Sequence, residues 1–416
     1  MQFDLFCSIA PTPARGVLPP EATLLRNFLV QCEAADALGY GTVWVAESHY
    51  SIESQKRHHR PVLPHWEGEI GLNADICQLA PRVFARTRQL DVGSAIMNII
   101  CNGGPLAAAE RVATALSWHG LDPAERRALH IGFAAGRFDY VNQLTGVGPR
   151  TEWERLAWPQ VKNAVMWEAA EVFVRLLAGE ELSSADVPEF VLRPEHFRQP
   201  DQWDRVRDVA GVPGADALTV PRRWEFEVTR IVPTQPRREL LQLVLGSHDP
   251  DLQAHLNRFA PVRVFNLSIT PAEVIERTHE RMRAAYHPAG GPWRREYLPR
   301  TTFVFVDGRP GLVPERQRAE ARERARATLE AYWRAMTGTV DPAKVADAAD
   351  NALVGNPADV AEQIADRFDP HDRLMLWFDF FNHDNDAVVD DMTVMMTEVA
   401  PRLRALGIPV EVRQGR

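Results

Sequence analysis

The chain contains 416 residues, of which 45% are apolar and 25% are charged, and its formal net charge is −9. This composition predicts a soluble globular protein, and the acidic balance argues against nucleic acid or an anionic membrane as a main partner. No apolar run approaches the roughly 20 residues of a membrane span, and the N-terminal MQFDLFCSIA does not resemble a signal peptide. We therefore expect a cytoplasmic protein.

The cysteines are dispersed, without a C-x-x-C pair and without histidines at zinc-ligand spacing. The sequence therefore predicts no metal site, and the thiols are expected to be free and mostly buried. The four positions are Cys7, Cys32, Cys77 and Cys101. Nearly all the positive charge is arginine, because lysine occurs only at Lys56, Lys162 and Lys344.

Short apolar runs alternate with longer helical patterns along most of the chain. The run FDLFCSI is followed by a predicted helix from about Pro20 to Leu38, whose apolar residues recur at helical spacing and which Gly39 ends as a C-cap. Seven further strands are predicted: GTVWVAE, QLDVGSAIM, ALHIGFA, LLQLVLG, VRVFNLSI, TTFVFVD and RLMLWFDFF. Helix starts are predicted at Asp122, Thr270, Asp341 and Asn356, each a capping residue followed by Pro and Ala.

Eight strand–helix units predict an α/β fold, namely a closed (β/α)₈ TIM barrel, with a doubly wound open sheet as the alternative. Two stretches interrupt the alternation, at about 51–71 and at about 179–237, the second with an extra hairpin. We interpret both as insertions in loops after strands, within a single domain spanning 1–416. Such loops form the active-site face of a barrel, so the insertions are expected to shape substrate access or else to be solvated excursions.

Several segments, in this order, resemble one known family. In GYGTVWVAESHY, a helix ends in Leu-Gly-Tyr and a strand leads into Glu47, Ser48 and His49. The similarity continues through FARTRQLDVGSAI, PLAAAERVATALSWHG, ALHIGFAAGRFDYVNQLTG, LVGNPADVAEQIADRF and MMTEVAPRLRAL. Together they resemble the bacterial luciferase-like monooxygenase family.

The resemblance implies a (β/α)₈ barrel that binds reduced FMN or, in some branches, a deazaflavin coenzyme. FMN-dependent members oxygenate small organic substrates with O₂, and a separate NAD(P)H-dependent flavin reductase supplies the reduced FMN. Homodimers are common among relatives. A deazaflavin-dependent hydride-transfer enzyme and a non-catalytic flavin-binding paralogue are the alternatives.

The resemblance also implies catalytic residues after the second strand. His49 is a candidate general base or hydrogen-bond donor, and Glu47 could orient it. The family has two histidines here, and the first, which luciferases use in catalysis, is replaced by Ser48. This departure leaves open an altered mechanism.

Candidate cofactor residues follow three other strands. Ser94 and Ala95 match a position that often carries a cis peptide behind the flavin ring, and Asn98 could reach the polar edge of that ring. Gly136 and Arg137 lie where the family binds phosphate, although its arginine usually precedes the glycine and Ala135 stands there instead. Ser247 matches the family's phosphate-binding serine, and His248 follows it at a predicted helix start. Trp377, Phe378, Phe380 and Phe381 could wall a substrate pocket or pack in the core.

Overall fold

The computed structural model describes residues 1–266, 270–339 and 349–413. Eight parallel strands surround the core, and each strand predicted from the sequence is present. They are β1 (Gln2–Cys7), β2 (Thr42–Val45), β3 (Asp91–Asn98), β4 (Leu129–Ala134), β7 (Leu241–Leu245), β8 (Val262–Val264), β9 (Arg300–Val306) and β11 (Arg373–Trp377). Their order in the sheet is β9-β11-β1-β2-β3-β4-β7-β8. A parallel bridge between Asn266 and Arg300 then joins the end of β8 to the start of β9, which completes the ring.

Helices follow the strands and cover the outside of the (β/α)₈ barrel. They are α1 (Glu21–Leu38), α2 (Ile52–Gln55), α3 (Ile76–Phe84), α4 (Gly104–His119), α5 (Asp139–Leu144), α6 (Glu152–Leu156), α7 (Trp158–Ala178), α8 (Pro200–Val209), α9 (Pro250–Leu256), α10 (Ala272–Ala285), α11 (Pro314–Met336), α12 (Pro357–Arg367), α13 (Asn385–Val394) and α14 (Ala400–Ala405). The predicted first helix is confirmed, and Gly39 caps it with a left-handed φ of 86°. No helix of the described ranges is long and apolar enough to cross a membrane.

The predicted helix starts have different outcomes. Asn356 caps α12, and Thr270 lies just before α10. The helix predicted at Asp122 is wrong, because this segment forms turns that lead into β4. The Asp122 carboxylate accepts from the amide of Ala124 at 2.8 Å, and Glu125 forms an ion pair with Arg127. The start predicted at Asp341 lies outside the described residues.

A buried ion pair ties the amino-terminal ends of three strands together inside the barrel. The Asp4 carboxylate accepts from the amide of Thr42 at 3.0 Å, from the Trp44 indole at 2.6 Å and from Arg373 at 2.5 Å. Buried charges persist when they are paired and fully hydrogen-bonded. This pair therefore fixes how β11, β1 and β2 meet.

Residues 409–413 cover the same end of the barrel. The backbone of Met1 exchanges contacts with Pro409 and Glu411, and Arg413 donates to Asp91 at 2.5 Å. Burial opposes ionisation of Asp91, but contacts with His130 and Arg413 prevail and hold the pKa of Asp91 below its usual range. The barrel is thus closed at its amino-terminal end and open at the other.

The two interrupting stretches take different forms. In the first, Leu63 and Trp66 pack against Ala335 and Met336 at the end of α11. The second contains α8 and a short antiparallel pair, β5 (Val191–Leu192) with β6 (Leu218–Thr219). A further strand, β10 (Leu353–Gly355), which the sequence did not predict, pairs with β9.

Candidate active site

The loops that follow the strands surround a cavity of about 650 Å³ at the carboxyl-terminal end of the barrel. This is the end at which TIM-barrel enzymes place their active sites. Of the predicted site residues, it is lined by Glu47, His49, Ala95, Asn98, Gly136, Arg137 and Ser247. Leu63, Trp66 and Ile70 of the first interrupting stretch also line it, whereas the second stretch lines a separate depression that shares Pro159 and Asn163 with the cavity.

Glu47 and His49 form a pair just beyond β2. His49 Nε2 lies 3.0 Å from Glu47 Oε1, which also accepts from the amide of Asn98 at 3.1 Å. Glu47 therefore joins the ends of β2 and β3 and orients the imidazole. Its other oxygen, Oε2, is buried with no hydrogen-bond partner among the residues that the structure describes.

The surroundings of His49 favour a charged ring. Burial lowers the pKa of His49, but contacts with Cys101 and the Glu47 carboxylate outweigh it and raise the pKa to about 10. The side-chain nitrogen of Asn102 lies 3.3 Å from Nδ1. A proton on Nδ1 therefore requires the Asn102 amide to rotate, so that its oxygen faces the ring. The raised pKa favours His49 as a hydrogen-bond donor, and its role as a general base stays a prediction.

β3 changes course at Ala95, next to the cavity. The peptide bond between Ala95 and Ile96 is cis, and the register with β4 shifts between Ser94 and Met97. Neighbouring glycines leave room for this change, since a Cβ at Gly132 would lie 2.3 Å from the carbonyl oxygen of Ser94. Ala95 therefore faces the cavity, whereas Ser94 is fully buried and its hydroxyl has no partner among the described residues.

Asn98 lines the cavity, but its side chain is engaged within the protein. Its oxygen accepts from the amide of Ile100 at 3.1 Å, and its nitrogen donates to Asn142 at 2.8 Å. Gly136 lies against it, because a Cβ there would come within 2.3 Å of the Asn98 amide nitrogen. These contacts shape the turn after β4 and leave Asn98 little capacity for a ligand.

Arg137 presents a cation to the cavity. Its side chain lines the cavity, with the guanidinium carbon 5.3 Å from the Phe138 ring centre. Burial lowers the pKa of Arg137, and Tyr332 is the group that raises it. Within the described ranges no carboxylate pairs with this guanidinium, so it is available to an anion.

Lys162, on α7, is a cavity residue that the sequence analysis missed. Its ammonium donates to the carbonyl oxygen of Gly136 at 2.9 Å and to Asp139 at 2.7 Å. The rarity of lysine in this chain was the available signal, but nothing in the sequence placed α7 beside the turn after β4. Lys162 supports this turn and adds positive charge near Arg137.

Ser247 lines the cavity at the start of the loop after β7. Its hydroxyl accepts from the amide of Asp249 at 3.2 Å. Asp249 caps α9 and also accepts from the Trp167 indole at 2.9 Å, so the first amides of this helix are occupied. His248, the remaining predicted cofactor residue, is exposed and is not part of the cavity lining.

Aromatic side chains form much of the remaining wall. Trp377 and Phe380 have ring centres 4.5 Å apart, and Phe381 lies 5.6 Å from Trp66. Trp377, Phe380 and Phe381 line the cavity, whereas Phe378 is buried in the core. Tyr332 and Asp379 complete this side and were missed. The position of Asp379 just after β11 was an available signal, whereas Tyr332 reaches the cavity from α11 and had none.

No family model matches the chain, and neither does any curated protein. Solved structures are similar over nearly the whole length. Monooxygenase RslO1 from Streptomyces bottropensis superposes with a TM-score of 0.65 at 17% identity, over 97% of this chain and 99% of that chain. The oxygenating constituent of 3,6-diketocamphane monooxygenase from Pseudomonas putida, in complex with FMN, gives 0.57 at 13% identity over the same shares. An F420-dependent secondary alcohol dehydrogenase gives 0.55 at 15%, again over 97% and 99%.

The chain has the luciferase-like barrel fold. The resemblance carried by the sequence motifs is thereby confirmed for the fold, and the open doubly wound sheet is excluded. The similar structures include FMN- and F420-dependent enzymes, so both cofactor classes occur on this architecture.

The cavity of this luciferase-like barrel fits a phosphate-bearing flavin. Ala95, Ala134 and Gly246 give one wall small side chains, which allow a flat ring to approach the backbone. Arg137 supplies a cation that no carboxylate of the described residues pairs with, and Ser247 supplies a hydroxyl. A planar guanidinium is well suited to a phosphate group.

Proposed function

We propose that this protein is a flavin-dependent monooxygenase that uses reduced FMN and O₂ to oxygenate a small organic substrate. The observation that carries the proposal is one cavity lined by small residues, by the Glu47–His49 pair and by Arg137, which has no carboxylate partner among the described residues. The fold shared with monooxygenases supports it.

In this proposal each cavity residue has a separate task. Arg137 and Ser247 bind the phosphate, and Lys162 holds the Gly136 turn in place. Ala95 and Gly246 leave room for the ring. His49, oriented by Glu47 through Nε2, donates a hydrogen bond towards the reacting atoms through Nδ1, in place of its contact with Asn102. When bound, reduced FMN supplies the electrons for O₂ activation. The aromatic wall and the first interrupting stretch exclude water from the reaction.

The test uses the phosphate of FMN, which riboflavin lacks. We expect Arg137→Ala to weaken FMN binding about tenfold, because one charged hydrogen bond contributes about 1.5 kcal/mol, and to leave riboflavin binding unchanged. Equilibrium titrations followed by flavin fluorescence measure both affinities. Arg86→Ala, which breaks an exposed ion pair with Glu33 of α1 just beyond the end of α3, serves as the matched control and should change neither affinity.

Rapid mixing of the reduced complex with air then tests the reaction. A delayed return of oxidised-flavin absorbance that depends on His49 supports oxygenation. Wild-type protein that binds neither oxidised nor reduced FMN would end the proposal, and flavin binding without turnover of any substrate would leave a non-catalytic flavin-binding paralogue.

A deazaflavin-dependent hydride-transfer enzyme is the second candidate. Ser48 stands where luciferases have their catalytic histidine, and the F420-dependent dehydrogenase shares the fold. Separate titrations with FMN and the deazaflavin coenzyme discriminate the two, since only the true cofactor should bind tightly to the same cavity.

The proposal also includes two partners. An NAD(P)H-dependent flavin reductase supplies the reduced FMN, and the enzyme is a homodimer. Sedimentation velocity measures the assembly. Turnover with chemically reduced FMN, compared with turnover when a reductase is present, measures the need for the second protein.

A further inference from the structure

Asp379 lies two residues beyond β11, in the loop that closes one side of the cavity. It lines the cavity together with Ser8 at the end of β1. These two strands are neighbours in the barrel, so their loops meet. Asp379 is thus a carboxyl group on a different wall from the Glu47–His49 pair, and the proposed reaction has not used it.

The hydrogen bonding of Asp379 is incomplete. Its Oδ1 atom is buried and has no partner in the part of the chain that the structure describes. No ion pair within those ranges includes this carboxyl group, in contrast to the buried Asp4, which pairs with Arg373. A buried oxygen without a partner costs free energy, which a ligand that hydrogen-bonds to it would recover.

Aromatic side chains line the same cavity as this carboxyl group. Phe380, the next residue, lies 4.5 Å from Trp377 and 5.0 Å from Tyr332 between ring centres. Trp66 and Phe138 extend the aromatic lining across the cavity. Aromatic walls with few polar groups favour a flat apolar ligand and leave its orientation to those polar groups.

We propose that Asp379, in its acid form, donates a hydrogen bond to a carbonyl oxygen of an aromatic substrate held between these rings. The inference rests on the proposed function, because it names the substrate class of the same cavity. Asp379 would fix which edge of the substrate faces the reacting atoms.

The environment keeps the acid form available near neutrality. Burial raises the pKa of Asp379 to about 7, although Trp377 and the amides of Ser8 and Ile9 lower it. The titratable groups that face it are Cys7 on β1, whose buried thiol has a raised pKa and is neutral, and His383 in the same loop. His383 is engaged with the carbonyl oxygen of Thr12 at 2.6 Å. The hydrogen bond should therefore be present below about pH 7 and lost above it as Asp379 ionises.

The experiment compares two ligands that differ by the carbonyl oxygen, α-tetralone and tetralin. Calorimetric titration into the FMN-loaded protein at about pH 6 and about pH 8 gives the affinity ratio below and above the pKa. We expect the wild-type protein to bind α-tetralone about tenfold more tightly than tetralin at the lower pH, and the ratio to approach one at the higher pH.

Two substitutions separate hydrogen bonding from folding. Asp379→Asn keeps a donor that does not titrate, so the preference should persist at both pH values. Asp379→Leu removes the donor, so the preference should vanish at both. Asp391→Asn is the matched control, because Asp391 is another buried carboxyl group with a raised pKa, about 6, that bonds to Arg324 outside the cavity.

Three outcomes would overturn the inference: no binding of either ring compound, no preference for the ketone, or a preference that Asp379→Leu leaves intact. FMN affinity is measured in the same samples, and the ring compounds are also titrated without flavin. Failure of FMN binding alone therefore counts against the proposed function, and failure of the ketone preference alone counts against Asp379.

Discussion

The charge on His49 decides what this residue can do in the cavity. Contacts with Cys101 and with Glu47, which lies 3.0 Å away, raise the pKa of His49 to about 10, while burial also raises the pKa of Glu47. A charged imidazole donates hydrogen bonds and does not accept a proton. This state suits a group that stabilises developing negative charge.

Glu47→Gln removes the carboxylate and keeps the shape of the side chain. We expect the pKa of His49 to fall from about 10 by about two pH units, towards the ordinary value of about 6.5. An NMR titration of the imidazole measures this, with His49→Gln to identify the signal. Glu53→Gln, an exposed carboxylate paired with Lys56, is the control and should leave the His49 titration unchanged.

Residues directly after a strand were predictable as site candidates, and residues that arrive by packing were not. The alternation of apolar runs and helical patterns predicted the strands that precede Glu47, His49 and Arg137. These residues were therefore expected at the carboxyl-terminal end of the barrel. Lys162, on α7, and Tyr332, near the end of α11, reach the cavity through helix positions that depend on tertiary contacts. Whether Ser247 and Arg137 hold a phosphate stays a prediction.

Among the elements, β3 shows how a neighbouring strand can shape the cavity wall. Its change of course at Ala95 needs space on β4, and Gly132 provides that space. Gly132 does not have a positive φ, so its backbone conformation does not require glycine. Glycine is needed here because a side chain would collide with β3.

Gly132→Ala places a methyl group 2.3 Å from the carbonyl oxygen of Ser94, so β3 must shift. We expect a loss of about 1–3 kcal/mol in the free energy of unfolding, and weaker FMN binding because Ala95 moves with the strand. Urea unfolding and flavin titration measure the two effects. Gly148→Ala, whose methyl group would meet only the flexible Gln143 side chain at 3.1 Å, should change neither. Equal stability of the two variants would contradict the packing argument.

At the level of elements, the strands that lie in apolar runs were predictable from the sequence. The barrel strands lie within longer, mostly apolar stretches of sequence; even β8, which has three residues, lies in VRVFNLSI, whereas the three residues of β10 lie in no such stretch. The failed helix at Asp122 shows that a capping residue followed by proline also suits a turn. The antiparallel pair of β5 and β6 encloses α8, a longer connection than the predicted hairpin.

In the molecule as a whole, the two ends of the barrel differ: one end holds stabilising ion pairs and the other end holds the cavity. Its amino-terminal end holds the ion pairs of Asp4 and Asp91, and residues around Glu411 cover it. The opposite end carries the cavity and the interrupting loops. Substitutions at the covered end should therefore change stability without changing ligand affinity.

Arg413→Ala tests this separation. Asp91 has a lowered pKa, so its contribution to stability is present above its unfolded pKa of about 4 and is lost as the pH falls. We expect the variant to lose about 2 kcal/mol in the free energy of unfolding near neutrality, and the difference from wild type to shrink in acid. Urea unfolding at several pH values measures it. Arg402→Ala, which removes an exposed helical pair, should cost about 0–0.5 kcal/mol.

Because lysine is scarce in this chain, chemical modification of lysine can report on the cavity. Only three lysines occur in the sequence, and within the described ranges Lys162 is the one that lines the cavity. Its side chain is 19% exposed, and its ammonium sits between Gly136 and Asp139. Among the described residues, an amine-reactive reagent small enough to enter the cavity meets one ε-amino group, that of Lys162. Protection of Lys162 from this reagent, measured by mass spectrometry, therefore reports occupancy of the cavity without knowledge of the substrate.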